Sequence, residues 1–465
     1  MLLMMASCVP KSLVLINKKE NKFTPERFNN AQDTTNTAKT VWKEYFTDPN
    51  LLGLIDTALR NNQELNITLQ EIEIARNEIQ ARKGEYLPFV TLGGGTGVEK
   101  VSRFTSQGAS DDITEIKPGV LTPEILPNTY FGAFASWEVD IWHKLRNARK
   151  VAVANYLASL EGKNFLITNI VSEIATSYNE LMALDNQLDI IKKNIVILTN
   201  ALSIIRQEKD AAKVTELAVR RFEAEVYKTQ SLQYDIQQKI TVTENRINFL
   251  LGRFPQRIQR NSQRFNETMP TNIYFGTPAQ LLANRPDIRQ AELKLEAAKL
   301  DITVAKANFY PSLRLGAALG FKSFNPLLLA HLPESIMSSL AGDLMGPLIN
   351  KNAITAIYKS ANAKQIQSAY DYEKTILNAY IEVANQLSNT DNLKKNYDMK
   401  NNQVQALTQS TEISLKLFKS ARADYMEVLL TQRDVLESRM ELIEIRMKQM
   451  NALVNTYRSL GGGWN

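Results

Sequence analysis

The sequence predicts a mixed α+β membrane protein, with four amphipathic strands set between very long helices and two similar halves per chain. Three observations lead there. First, "EYLPFVTLGGGTG" (85–97) and "NFYPSLRLGAALG" (308–320) make the same passage from a helix-like run, through a proline, into a strand. Pro88 falls on Pro311, Leu92 on Leu315, Gly93 on Gly316 and Gly97 on Gly320. Second, residues 352–418 contain neither proline nor glycine. As one helix they would run about 100 Å at about 1.5 Å per residue, more than a compact domain needs. Third, the segments after the prolines alternate apolar with polar or small residues, the period of a strand with two unlike faces.

The chain opens "MLLMMASCVP". An apolar start ending in small residues before Cys8 reads as a bacterial lipoprotein signal whose processing would leave Cys8 as a lipidated first residue. The apolar region is short and no basic residue precedes it. Residues 1–8 are therefore expected as a signal remnant and 9–50 as an N-terminal tether.

Composition narrows the rest. The net charge of +6 is spread along the chain, with no basic stripe interleaved with aromatics, which argues against nucleic acid. Cys8 is the only cysteine, so no internal disulfide can form. With His143 and His331 as the only histidines, a His/Cys metal site has almost nothing to build with, and neither metal nor cofactor is expected. No apolar run reaches the roughly 18 residues of a spanning helix, so any membrane contact must come from strands or an anchor.

The halves are 51–252 and 281–465, joined by a polar linker at 253–280. At an offset of 209, Ala212 falls on Ala421, Val219 on Val428 and "LLG" (250–252) on "SLG" (459–461). A repeat of this size is a duplication rather than a solenoid unit. In the last helix Leu429, Leu436, Ile443, Met450 and Tyr457 recur every seven residues, and Met440, Met447 and Val454 form a second series. Such a seam packs along a partner for most of its length.

The strands are expected near 86–99, 129–141, 309–322 and 335–349. In the third, Leu313, Leu315, Ala317, Leu319 and Phe321 oppose Ser312, Arg314, Gly316, Ala318, Gly320 and Lys322. In the second, Phe131, Ala133, Ala135, Trp137 and Val139 oppose Gly132, Ser136, Glu138 and Asp140, so Phe131 and Trp137 are expected at lipid. The fourth alternates poorly and is placed by symmetry alone. Apolar-out, polar-in strands of about ten residues describe a membrane barrel. Four strands cannot close around a channel, and lipid does not tolerate open edges. Three copies would give twelve strands. "LGGGTG" lacks the lysine and spacing of a phosphate loop and reads as small residues on the lumen face.

Further motifs carry a resemblance: "WKEYFTDPNLLGLIDTALRNN" (42–62), "ASWEVDIWHKLRNAR" (135–149), "LLANRPDIRQAELKLEAAKLDITVAKANFYPSLRL" (281–315), "GPLINKNAI" (346–354), "YMEVLLTQRDVLESR" (425–439) and the closing "LGGGW". In order, and spanning nearly the whole chain, they resemble the TolC-type outer-membrane efflux channels, specifically the lipoprotein branch that works with RND-type pumps. The resemblance implies a homotrimer with a twelve-stranded β-barrel in the outer membrane, continued across the periplasm by an α-helical coiled-coil tunnel. It implies a passive, non-enzymatic exit duct for small molecules, whether drugs or metal ions. Its partners would be a periplasmic adaptor, an inner-membrane RND-type pump and outer-membrane lipid. The sequence independently offers no nucleophile–base pair.

The resemblance also places a closing iris and an adaptor contact at the two hairpin turns. Glu427 stands where an acidic gate residue stands in such channels, and Leu430 where a second often does. The contact would involve Ala212, Ala421, Arg422, Asp424 and Tyr425. Two departures from the family pattern are plain: its turn glycines are Ala212 and Ala421 here, and its frequent second aspartate is Leu430. Two other functions fit parts of the pattern, namely the outer-membrane channel of a type I protein secretion system and a soluble coiled-coil tether or adaptor with a β-sandwich.

Overall fold

The computed structural model describes residues 18–28, 37–266, 276–420 and 422–464. Cys8 and Ala421 lie outside the described residues. In chain order the elements are α1 (Trp42–Tyr45), α2 (Pro49–Asn61), α3 (Gln63–Glu85), β1 (Phe89–Glu99), α4 (Ser106–Asp111), β2 (Glu115–Lys117), β3 (Val120–Leu121), β4 (Leu126–Val139), α5 (Lys144–Asp210) and α6 (Glu216–Leu250). There follow α7 (Pro278–Asn284), α8 (Pro286–Ala307), β5 (Ser312–Ser323), β6 (Ile336–Met345), α9 (Asn352–Lys419) and α10 (Tyr425–Ser459). The described residues form two compact units, and each draws on both sequence halves: those within 1–19, 73–156 and 293–369 in one, and those within 20–72, 157–292 and 370–465 in the other.

The first unit is built on one antiparallel sheet in the order β1-β4-β5-β6, so the strand pair of each half stays together and the two pairs join through β4 and β5. Register fixes its faces. Val90, Ala135, Ala317 and Leu340 stand in one row across the four strands, and Glu138, Arg314 and Asp343 in another on the opposite face. The apolar row is typical of its side, where Leu92, Val98, Phe131, Leu319 and Leu344 are all exposed. On the other side Arg314 pairs with Glu138 at 3.8 Å.

Both passages from helix to strand are tied by a tryptophan. At Pro88 and Pro311 the ring removes a backbone donor, and neighbouring helical carbonyls lose their partners. The Trp137 indole N–H donates to the Tyr86 carbonyl at 3.0 Å, and Trp142 donates to the Pro311 carbonyl at 2.7 Å while stacking on Tyr310. Trp137 therefore joins the exposed apolar face and pins the first kink at once. Asp140 starts α5: its carboxylate, 4% exposed, accepts from the backbone N–H of Leu145 and Arg146.

The second unit holds the main core. Trp42, Tyr45, Phe46, Ile55, Ile174, Tyr178, Leu181, Ile247, Leu251 and Tyr457 are buried in one cluster. The Tyr45 and Tyr457 rings stack at 4.1 Å, Tyr457 donates to the Thr40 carbonyl, and Tyr178 donates to Asp48 at 2.9 Å. Asp48 also caps α2, accepting from Asn50 and Leu51 ahead of Pro49 in the first turn. The heptad seam of α10 faces inward, with Leu436, Met450 and Tyr457 buried and Ile443 and Met447 packed beside them.

Two segments that read as loose are held in place. From Ala38 onward the expected tether contributes to the core. In the linker, Ile258 and Phe265 are buried, and Arg260 forms a bidentate pair with Asp185 and a second pair with Glu244. The polar composition concealed this, because a few apolar anchors and one shared cation fix the segment. Arg285, 7% exposed, likewise pairs with Asp287 and Glu382 and donates to the Ser459 carbonyl, tying the start of the second half to the end of α10.

Candidate gate at the hairpin tips

Helices α5 and α6 form one hairpin and α9 and α10 the other. The first stops because Ala212 enters the left-handed region at φ 58°. Its N–H bonds the Lys209 carbonyl, and the Lys213 N–H reaches back to Glu208 at 2.8 Å. That pair of bonds closes a helix end whose last carbonyls would otherwise lack donors. The second hairpin has the same longer bond, from the Arg422 N–H to the Leu417 carbonyl at 2.9 Å. The departure from glycine at position 212 therefore leaves the turn type intact, with a side chain in a conformation that favours glycine.

Both tips share one small core. Leu198, Leu202, Ile205, Ala218, Val219 and Phe222 of the first hairpin pack with Leu429 of the second, and Phe418 and Tyr425 lie against them. The Arg221 guanidinium reaches the Met426 sulfur at 3.3 Å, and Thr431 meets Ser414 at 3.0 Å. Tyr425, expected at a partner contact, is half-buried in this core, whereas Arg422 and Asp424 are exposed.

Val428 and Leu429 are buried, while Glu427 and Leu430 are exposed. Three residues apart on a helix, Glu427 and Leu430 lie side by side on the exposed face of α10. Among the described residues Glu427 has no ion-pair partner. The first tip differs, because Lys209–Glu216, Arg220–Glu216, Arg220–Glu223 and Arg206–Glu223 link its charges into a chain. The Lys209 ammonium bonded to Glu216 holds that carboxyl below the usual range. These pairs are solvent-exposed and screened, so they add little stability. The structure thus packs Tyr425 against Ala212's hairpin and leaves Glu427 and Leu430 exposed on the same end of α10. Sequence reading missed the shared core beneath them, whose signal is the apolar spacing of Leu198, Leu202 and Ile205.

Among the described residues no group of His, Cys, Asp or Glu is placed to hold a metal ion, and no helix is long and apolar enough to cross a membrane. The profile of the family described as "Outer membrane efflux protein" matches residues 54–253 and 277–462. The chain belongs to the outer membrane efflux protein family. Its sequence is 27% identical to the solvent efflux pump outer membrane protein SrpC of Pseudomonas putida, over 91% of this chain and 87% of that one. It is 25% identical to the probable outer membrane lipoprotein SilC of Salmonella typhimurium, over 96% and 91%. The fold matches the open-state MtrE outer membrane channel of Neisseria gonorrhoeae with a TM-score of 0.84 and 20% identity, over 97% and 98%. As an outer membrane efflux protein the chain works in the outer membrane, as a passive channel.

Proposed function

We propose that three copies of this outer membrane efflux protein close a twelve-stranded barrel in the outer membrane and form one gated exit duct. The observation that carries this is the sheet. β1 and β6 pair on one side only, over 11 and 10 residues, and one face between them is apolar and exposed. Open edges of that length are unstable in lipid, and joining β6 of one copy to β1 of the next satisfies both. The long helices then continue the barrel as a tunnel into the periplasm. In this reading a periplasmic adaptor contacts the tips through Ala212, Ala421, Arg422, Asp424 and Tyr425, and an RND-type inner-membrane pump supplies small-molecule cargo. Cys8 carries a lipid anchor, in keeping with the name of SilC.

The gate is Glu427 with Leu430. Threefold repetition makes a ring of carboxylates beside a ring of leucines, the first attracting cations and the second sealing by contact. Purified protein should be a detergent-dependent trimer, and a detergent-free monodisperse monomer would end the proposal. In planar bilayers Glu427→Gln should weaken cation preference and Leu430→Ala should raise resting current. If both variants match the wild type in selectivity and leak, the gate lies elsewhere.

A further inference from the structure

The register puts more on the polar face of the sheet than the alternation of the sequence suggests. Tyr130 and Phe134 stand on the same side of β4 as Glu138, an even number of residues away. Their rings meet edge to face at 5.8 Å. Beside them on β1 run Gly93, Gly95 and Gly97, also on this face, and Gly95 is the register partner of Tyr130. The Tyr130 ring lies across that glycine. A Cβ added at Gly95 would fall 2.9 Å from both the Cε1 and Oη atoms of Tyr130. One at Gly93 would meet Phe134 Cε2 at 3.6 Å, an ordinary contact, and one at Gly97 would meet nothing within 4 Å.

We propose that Gly95 and Tyr130 together set the bore of the barrel and so the size of solute it passes, an inference that rests on the barrel reading above. With glycine at 95 the ring lies flat on the wall. A methyl group there sits inside the roughly 3.5–4.0 Å that carbon atoms prefer. The ring is the outer end of a side chain that is 38% exposed, so the ring moves and the ladder stays. Its free side is the lumen. Repeated in three copies, lifted rings narrow the passage for bulky solutes and leave small ions least affected. The glycines at 93 and 97 share the face without holding a ring in this way, which makes them internal controls.

The test uses single channels of the full-length protein in planar bilayers, with neutral polyethylene glycols of graded size entering from the barrel side. Gly95→Ala should shift the size cut-off to smaller polymers, and Gly97→Ala, the same methyl on the same face, should not. Adding Tyr130→Ala to Gly95→Ala should restore the cut-off, and Tyr130→Ala alone should raise it, because even the flat ring takes up part of the bore. A Gly95→Ala cut-off equal to wild type, or a double variant no different from Gly95→Ala, overturns the inference. If Gly95→Ala fails to assemble, the inference stands or falls on Tyr130→Ala, which must shift the cut-off upward. A wild-type protein that forms no channel removes the barrel reading and this inference with it. A conducting wild type whose variants fail the series removes this inference alone.

Discussion

The same stop signal ends the long helices at their tips and at their core ends, and the two settings treat it differently. At the core ends the Arg253 N–H reaches back to Asn248 and the Gly462 N–H to Tyr457, as Lys213 and Arg422 reach back at the tips. The left-handed residue is Gly252 at φ 64° and Gly461 at φ 93° in the core, but Ala212 at the first tip. In the core, packing adds to the backbone demand. A Cβ at Gly252 would lie 2.3 Å from the Asn61 carbonyl oxygen, and one at Gly461 would lie 2.6 Å from that of Asn284. Ala212 is exposed. One local motif is therefore locked where a second chain segment packs against it and left adjustable where the proposed gate must move.

The largest test of this difference is Gly252→Ala or Gly461→Ala. The left-handed conformation alone costs an L-residue about 1–2 kcal/mol, and the backbone clash adds to it. Either variant should lose at least about 2 kcal/mol, seen as a clear drop in the thermal midpoint of the detergent-solubilised protein. Wild-type thermal stability in both would show that the core ends are as forgiving as the tips.

A second test acts through pH. Burial pushes the phenols of Tyr45, Tyr178 and Tyr457 well above their usual range, and the Asp48 carboxylate adds to the effect on Tyr178. A raised phenol value in the folded state means the neutral form is favoured there. The stabilisation is complete below the unfolded value of about 10 and is lost as pH rises from there toward the folded value. The core should therefore loosen steeply above about pH 10, by up to about 1.4 kcal/mol per pH unit for each tyrosine. Tyr457→Phe should reduce that slope, measured as thermal midpoint against pH, while the tip amides show no such steepening in hydrogen exchange. An unchanged slope in Tyr457→Phe would remove this phenol from the account.

The smallest effect belongs to the tip. Ala212→Gly relieves the left-handed strain but gives the unfolded chain more freedom, a cost of about 0.4–1 kcal/mol. The net gain should be about 0.5 kcal/mol, seen as slower exchange of amides 208–216. Faster exchange there would mean that the alanine methyl group stabilises the turn.

Much of the helical framework was legible because its signals repeat. The seam through Leu429, Leu436, Met450 and Tyr457 declares its buried face every seven residues, and α9 lacks any breaker from Asn352 to Lys419. The strand faces were legible wherever alternation was strict, as in β5. What stayed hidden depends on partners far along the chain. Arg260 finds Asp185 from 75 residues away, and Trp142 finds the Pro311 carbonyl from 169. Neither distance leaves a local period. Tyr130 and Phe134 were hidden for another reason: an aromatic ring on a polar face reads as noise until the register sets it over a glycine. For the candidate site, sequence and resemblance gave the position of Glu427 and Leu430, and only the fold shows that both sit on the exposed side of α10 above a shared core.

The tied tryptophans have an optical consequence. Trp137, Trp142 and Trp464 each donate their indole N–H to a backbone carbonyl, at Tyr86, Pro311 and Gly461. Indole emission shifts with hydrogen bonding and water. Variants that keep one of these residues, with phenylalanine at the other two and at Trp42, would therefore report separately on the first helix-to-strand kink, the second, and the closing glycine turn. Three of the four tryptophans thus sit at joints of the fold, and the unfolding of each joint can be followed without attaching a dye.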